Sequence, residues 1–343
     1  MVETEPMLTN MDYVICPSCG VADIKAGSRF CDTCGAGIPM PVVLVKLGCA
    51  CGGSEFDVDG YCINCGVRQR EARDQADSII LGDDFAGMTD VGKRHIRNDD
   101  AFDISGPGTG GAGCVMAVCD GVSKSQSPDI ASLAASKAAR SILAVAIDNG
   151  TDARAATRAA ITAAHAVACT VPFDRHSDVD PPASTIVTVM VLAAEEEDKL
   201  EVVVGWLGDT RLYWLSPNGT GELLTRDHSW CNEVVDEGLM TIEKAQNDER
   251  AHSITKCLGT GSYEKPTPCQ EPSVATYQIP KQGWLLICTD GLWNYADTPA
   301  SLILVANGRL WTQPASVICQ QFVDYALAQG GMDNITCVLM RLG

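Results

Sequence analysis

Aspartate recurs at the ends of apolar runs in this chain, and that placement is its strongest chemical signal. Val115-Met116-Ala117-Val118-Cys119 leads into Asp120-Gly121, and Val203-Val204-Gly205-Trp206-Leu207 leads into Gly208-Asp209. Trp284-Leu285-Leu286-Ile287-Cys288-Thr289 leads into Asp290-Gly291. Two more sites stand before strands: Asp99-Asp100 ahead of Ala101-Phe102, and Asp333-Asn334 ahead of Ile335 to Met340. A short apolar run reads as a buried strand, which delivers a terminal carboxylate to the rim of a sheet. The adjoining glycine lets the backbone turn sharply or approach a ligand. A single Asp-Gly is equally an ordinary tight turn, so the weight lies in the repetition. The expectation is that these strands share a sheet, so that the five sites converge. A polyanionic centre of that kind suits hard divalent cations. Lys93, Arg94, His95 and Arg97 stand just before Asp99, where they could hold a phosphate beside bound metal. The plainer alternative is a solvated basic loop paired with those acids.

Cysteine supplies the second signal. Cys16-Pro17-Ser18-Cys19 and Cys31-Asp32-Thr33-Cys34 are two CxxC turns separated by eleven residues. Cys49-Ala50-Cys51 and Cys62-Ile63-Asn64-Cys65 form a second set, separated by ten, whose first half is a CxC variant. Two such turns bring four thiolates to a tetrahedral site, and two structural zinc ions in two small ribbons are expected. Four thiolates also suit an iron–sulfur cluster, and disulfides would require an oxidising compartment. Modules this small depend on metal for their fold. Protein docking and a passive stabilising cap are both open as their task.

Bulk properties narrow the classes. The 343 residues suffice for one large domain plus a smaller appendage, and a hydrophobic content of 46% provides a core. The net charge of −19 opposes sequence-independent binding to nucleic acid or anionic membrane. Met1-Val2-Glu3-Thr4-Glu5-Pro6 has neither a basic start nor an apolar core, so no signal peptide is expected. The longest apolar stretch is read near Thr185 to Ala194, strand-length and too short for a bilayer. Of the 17 cysteines, those outside the CxxC sets are scattered singly, as in a reducing cytosol.

The elements that must position the aspartates follow from periodicity. Asp129 to Ile147 has apolar residues at helical spacing, and Thr151 to Ala168 repeats the style with Thr151 or Asp152 as N-cap. His165 in that second helix reads as structural. Thr185 to Leu192, Leu200 to Leu207 and Arg211 to Leu215 read as successive strands. Two alanine-rich helices set among antiparallel strands predict an α+β layered sandwich. Glu71 to Ser78, polar and charged, reads as a linker or short helix.

Ser184-Thr185-Ile186-Val187, Gly208-Asp209-Thr210-Arg211, Thr225-Arg226-Asp227-His228-Ser229, Ile254-Thr255-Lys256-Cys257-Leu258-Gly259, Thr289-Asp290-Gly291-Leu292-Trp293 and Asp333-Asn334-Ile335-Thr336 follow Asp120-Gly121 in order. In this the sequence resembles the bacterial metal-dependent PPM, or PP2C-type, serine/threonine protein phosphatases, over roughly residues 83–343. The cysteine pattern resembles, less specifically, zinc ribbons fused to such enzymes. The resemblance implies a four-layer αββα sandwich at 83–343, preceded by ribbons at 1–40 and 41–70 and a linker at 71–82. It implies two Mn²⁺ or Mg²⁺ ions between the sheets: Asp120 bridging both, the Gly121 carbonyl on one, Asp290 and Asp333 on the first and Asp99 on the second. Asp100 would orient water, and Asp209 would join Asp290 at a weaker third site. The implied reaction is hydrolysis of phosphoserine and phosphothreonine in proteins, the substrates of a bacterial kinase, by metal-activated water.

Two positions depart from the family. Asp99 stands where Glu is frequent, one methylene shorter. His95 stands where many members have a phosphate-binding arginine, so either Arg94, Arg97 or a protonated His95 takes that role, His95 also as leaving-group acid. Cys119 and Cys288, on strands beside the aspartates, read as small hydrophobes. Trp230 to Glu249 reads as a mobile flap or as an ordinary surface helix pair. The alternative to an enzyme is a catalytically weak or inactive signalling scaffold that binds partners through the ribbons.

Overall fold

The computed structural model describes residues 13–14, 24–25, 49, 51–56, 61–66, 76–259 and 268–343. The chain divides into two compact units, Met1–Leu44 and Val45–Gly343. The division therefore falls between Leu44 and Val45, four residues beyond the expected ribbon boundary. In the first unit, β1 (Tyr13–Val14) pairs antiparallel with β2 (Ile24–Lys25). Cys16, Cys19, Cys31 and Cys34 of the first expected ribbon lie outside the described residues.

The second unit begins its regular structure with β3 (Ala76–Ile80), β4 (Phe85–Asp90), β5 (Ala101–Ser105) and β6 (Cys114–Cys119). Helices α1 (Pro128–Asp148) and α2 (Ala153–Ala168) follow, then β7 (Ala183–Ser184), β8 (Ile186–Ala193), β9 (Lys199–Leu207), β10 (Arg211–Leu215) and β11 (Gly221–Leu223). Two short helices, α3 (Trp230–Asp236) and α4 (Ile242–Gln246), precede β12 (Leu258–Gly259), β13 (Ser273–Pro280) and β14 (Gly283–Cys288). Next come α5 (Asp290–Trp293), α6 (Pro299–Val305), α7 (Ala315–Gln329) and β15 (Ile335–Leu342).

The long strands form two antiparallel sheets. One has the order β11-β10-β14-β15-β4-β3, the other β13-β9-β8-β6-β5. Alternation along each strand sorts side chains between two cores. In β15, Val338, Met340 and Leu342 meet Phe85, Met116, Val118 and Val204 between the sheets. Ile335, Cys337 and Leu339 point the other way, onto Ile318, Phe322 and Val323 of α7. The five-stranded sheet is covered likewise, with Val115, Ala117, Ile186 and Met190 beneath Ala131, Ala135, Leu143 and Ile161 of α1 and α2. The result is the expected four-layer αββα sandwich.

Small side chains make the helical layer possible. Alanines on the inner face of α1 let its backbone approach α2 and the sheet closely. Asp152 caps α2, its Oδ1 accepting the Ala155 N–H at 2.8 Å. By length and composition α1 is the one helix among the described residues apolar enough to cross a membrane. Its apolar face is occupied by the sheet and α2, which accounts for that composition.

Two expectations are corrected. The segment read as a 71–82 linker contains β3, which pairs with β4 from Ala76↔Asp90 to Ile80↔Ala86. An edge strand needs little apolar surface, and β3 is largely exposed, so its composition concealed it. The aspartate-bearing strands also do not share one sheet. Those of Asp99, Asp100, Asp120 and Asp209 belong to the five-stranded sheet, and those of Asp290 and Asp333 to the other. Facing sheets bring strand ends together as well as neighbouring strands do.

Candidate metal centre

Register explains the convergence. In the five-stranded sheet Ala101 pairs with Cys119, which sets Asp99-Asp100 beside Asp120. Val118 pairs with Val187 and Ile186 with Leu207, which brings Thr185 and the Gly208-Asp209 turn to the same rim. In the opposite sheet Cys288 pairs with Cys337, so Asp290 leaves one strand where Asp333 enters the next.

Hydrogen bonds then tie the two rims together. The Asp99 N–H donates to Asn334 Oδ1 at 2.8 Å, and Asn334 Nδ2 donates to the carbonyls of Val91 and Arg97. Thr289 Oγ1 donates to Asp100 Oδ2 at 2.8 Å and accepts the Thr336 N–H at 3.0 Å. The Asp120 N–H donates to Thr185 Oγ1 at 3.0 Å, and the Gly121 N–H donates to the Asp99 carbonyl at 3.1 Å. Glycine is required beside two of the aspartates. A Cβ on Gly121 would stand 2.5 Å from the Asp99 carbonyl oxygen, and one on Gly291 would stand 1.9 Å from that of Asn334.

Electrostatics shows what this arrangement costs. Burial, with the fields of Asp333 and Asp99, lifts Asp100 to about 7 despite its hydroxyl partners. Asp209 is lifted to about 7 by burial and by Asp227. Asp120 rises well above the carboxylate range through burial, then Asp100, Asp290, Asp209 and Asp333. Asp290 does so through burial, then Asp333, Asp209 and Asp100. Carboxylates that raise one another's pKa from two sheets occupy one electrostatic site. An all-oxygen, mutually repelling donor set fits hard divalent cations, whose charge removes the repulsion.

The cationic residues of the sequence signal separate. His95 Nε2 approaches Asp333 Oδ1 to 3.3 Å. Arg97 is half-buried, with Nη1 3.7 Å from Asp129 Oδ2, and Arg94 is exposed. Cys119 and Cys288 are fully buried, with thiols pushed up by burial, as small core residues. His165 is also buried, its Nδ1 accepting the Gly259 N–H at 3.3 Å.

A cleft of about 670 Å³ opens beside Asp209, walled by Arg211, Asp227, Asn232, Ile242 and Trp293. Its far side is the segment Trp230 to Glu249, which forms the helix pair α3 and α4 over a small core of Cys231, Val234, Ala245 and Ala251. Sequence reasoning missed the wall on the sheet side. Arg211 Nη2 meets Asp227 Oδ2 at 2.7 Å, and its guanidinium lies 3.8 Å from the Trp293 ring centroid. Both residues were visible within motifs, but nothing local signalled a pair sixteen positions apart.

Farther toward the N-terminus, the Sγ atoms of Cys49, Cys51, Cys62 and Cys65 all lie within 4.8 Å of one another. The Gly53 N–H, foremost, lowers Cys51 to about 6, favouring thiolate. A Cβ on Gly53 would stand 2.8 Å from Cys62 Sγ, so the turn needs glycine there. This donor set fits a tetrahedral ion bound by sulfur.

Two packed antiparallel sheets, helices outside and a carboxylate cluster at their common rim define a sandwich whose rim fits divalent cations. Residues 91–313 match the protein phosphatase 2C family, and the chain belongs to it. The serine/threonine phosphatase stp of Listeria welshimeri is 33% identical over 146 residues, 42% of this chain and 52% of that protein. The chain thus spans about half the length of the curated relatives it matches. Among solved structures, the PPM Ser-Thr phosphatase MsPP from Mycobacterium smegmatis, in complex with cacodylate, is similar with TM-score 0.56 and 26% identity. The match covers 78% of this chain and 98% of that one. The catalytic domain of the serine threonine protein phosphatase PstP, solved with 2 manganese ions, is similar with TM-score 0.52 and 20% identity. Here 78% of this chain and 99% of the other are covered.

Proposed function

We propose that this chain is a metal-dependent phosphatase that removes phosphate from phosphoserine and phosphothreonine in proteins. The observation that carries the reading is the convergence of Asp99, Asp100, Asp120, Asp290 and Asp333 from two sheets, where burial and the fields of neighbouring carboxylates raise Asp100, Asp120 and Asp290. Asp120 would bridge two Mn²⁺ or Mg²⁺ ions with the Gly121 carbonyl on one, Asp290 and Asp333 would hold the first, and Asp99 the second. Asp209 would hold a third together with Asp290. When bound, such ions supply Lewis acidity toward phosphoryl oxygens and lower the pKa of water at the site.

The chain's own groups supply the rest. Asp100, fixed by Thr289, orients a water through its remaining acceptor capacity. His95 donates a proton to the departing seryl or threonyl oxygen; the 3.3 Å approach of Nε2 to Asp333 supports a position at the rim. Arg97 and Arg94 hold the phosphoryl group by charge. The substrates are phosphoproteins of a bacterial Ser/Thr kinase. Cys49, Cys51, Cys62 and Cys65 bind a structural zinc ion, and Cys16, Cys19, Cys31 and Cys34 a second, in ribbons that dock partners or stabilise the chain. The cytoplasm is the location, where thiols such as those of the 13 described cysteines, none in a disulfide, persist.

The test is phosphate release from a phosphothreonine peptide with Mn²⁺, Mg²⁺ or chelator, on the parent chain and Asp120→Ala. Turnover that needs metal and vanishes in the variant is expected. Absence of turnover with every metal, in folded and zinc-loaded protein, would overturn the reading in favour of a non-catalytic scaffold.

A further inference from the structure

The turn that carries Asp209 is gripped from behind by His228. Gly208 has φ +102, which side-chain-bearing residues rarely adopt, and a Cβ there would stand 2.5 Å from Thr185 Cγ2. Its N–H donates to His228 Nδ1 at 3.2 Å, and its carbonyl accepts the His228 N–H at 2.9 Å. One residue therefore satisfies both polar groups of Gly208. The opposite ring nitrogen, Nε2, lies 2.9 Å from Ser273 Oγ, and the Trp206 ring stacks on the imidazole at 6.0 Å between centroids. Because Nδ1 accepts, the ring proton sits on Nε2 and points to Ser273. Burial, followed by Lys256, lowers the ring to about 4, so it stays neutral near pH 7.

His228 also belongs to the base of the α3–α4 pair. Its carbonyl accepts the Thr255 N–H at 2.9 Å, and the next residue, Ser229, caps α3 through the Asn232 N–H. Trp230 N–H donates to Ser253 O at 2.8 Å, closing the same base. A single residue thus joins the stem of the helix pair, through its backbone, to the Asp209 turn, through its ring.

We infer that His228 is a positioning residue for Asp209: by clamping the Gly208 peptide through Nδ1 it fixes the carboxylate that holds a divalent ion, and it couples that ion's affinity to the seating of α3 and α4. This rests on the reading of Asp209 as a metal ligand. Partners that orient metal ligands from behind change metal affinity on the order of 10–100-fold when removed.

The experiment is Mn²⁺ binding to the full chain, followed by the spin-resonance signal of free Mn²⁺, alongside thermal melting. Asp209→Asn first identifies the ion that depends on that carboxylate. His228→Asn keeps an acceptor near the Nδ1 position, while His228→Gln keeps a donor near Nε2. His228→Gln is expected to weaken the Asp209-dependent ion by about tenfold or more, and His228→Asn by about threefold or less. In the Asp209→Asn background, His228→Gln should then change Mn²⁺ binding no further. Equal weakening by both variants, no weakening by either, or a full effect persisting without Asp209 would each overturn the proposal. If Asp209→Asn weakens no ion, the premise itself falls, while Asp120→Ala still reports separately on the main pair.

Discussion

Thr289 is the most exacting place to test how the two rims are held together. Its side chain is fully buried, donates to Asp100 Oδ2 at 2.8 Å and accepts the Thr336 N–H at 3.0 Å. Thr289→Val keeps the shape and opens no cavity, so the change isolates the hydroxyl. A hydrogen bond to a charged group contributes about 1.5–3 kcal/mol, and an unsatisfied buried N–H costs about 1–3 kcal/mol. Together these predict a loss of about 2.5–6 kcal/mol, a large share of a domain's ~5–15 kcal/mol. Thr289→Ser retains both bonds and loses one buried methyl, about 1 kcal/mol. The assay is urea unfolding followed by tryptophan fluorescence, since Trp284 and Trp293 are buried in the adjoining core. It should be run with chelator at about pH 8, where Asp100, lifted to about 7, is mostly ionised. A cost of about 1 kcal/mol or less for valine, or equal costs for valine and serine, would refute the reasoning.

Further outcomes follow from the aspartate site and from the cysteine cluster. Asp100 and Asp209 sit at about 7 in the fold against about 3.9 when unfolded. The ion-free fold therefore binds more protons than the unfolded chain between those values and loses stability as pH rises from about 4 to about 7. Mn²⁺ affinity should strengthen over the same window, as metal replaces protons; melting with chelator and with Mn²⁺ from pH 5 to 8 measures both, and a pH-independent affinity would contradict it. Gly291→Ala places a Cβ 1.9 Å from the Asn334 carbonyl, so it should cost about 3 kcal/mol or more and weaken Mn²⁺ binding by separating Asp290 from Asp333. Gly219→Ala, strained at φ +86 but in open space, should cost about 1 kcal/mol and leave Mn²⁺ binding alone. Cys51→Ser should lower the zinc content by one equivalent per chain, measured by atomic emission; unchanged zinc would remove that thiol from the ligand set.

How much was legible depended on whether the signal was local. The strands ending in Asp120, Asp209 and Asp290 and the one following Asp333 announce themselves, because an apolar run and its flanking carboxylate are neighbours in sequence. Helix α2 was equally plain, since Asp152 caps it at the position its pattern requires. What escaped was set by packing between distant segments. Ala76–Ile80 is an exposed edge strand whose partner, β4, lies beyond a turn, so its polar composition read as a linker. Assigning the aspartates to a single sheet failed because strand-end position does not encode which layer a strand joins. Arg211 with Asp227, and His228 with Gly208, are contacts across sixteen and twenty residues without a periodic trace.

The shell around the aspartates shows why such a cluster can persist in a fold at all. Thr89 meets Thr336 at 2.6 Å, Thr185 meets Thr210 at 2.8 Å, and Thr289 bridges Asp100 and the Thr336 backbone. These are neutral groups, and they satisfy backbone and carboxylate without cancelling negative charge. Lysine or arginine in the same places would stabilise the ion-free fold more, but would neutralise the field that attracts a divalent cation. The nearby guanidinium of Arg211 is held by Asp227 on its edge and the Trp293 ring against its face, and its charge offsets the rise at Asp209 only in part. Asp227 in turn adds to the fields that raise Asp209. The ion-free state is thus left with repulsion that protons relieve only partly near pH 7, and a divalent ion is the ligand whose charge relieves it fully. Stability given up in the empty site returns as affinity for the metal, because the ion binds the folded arrangement and not the unfolded chain.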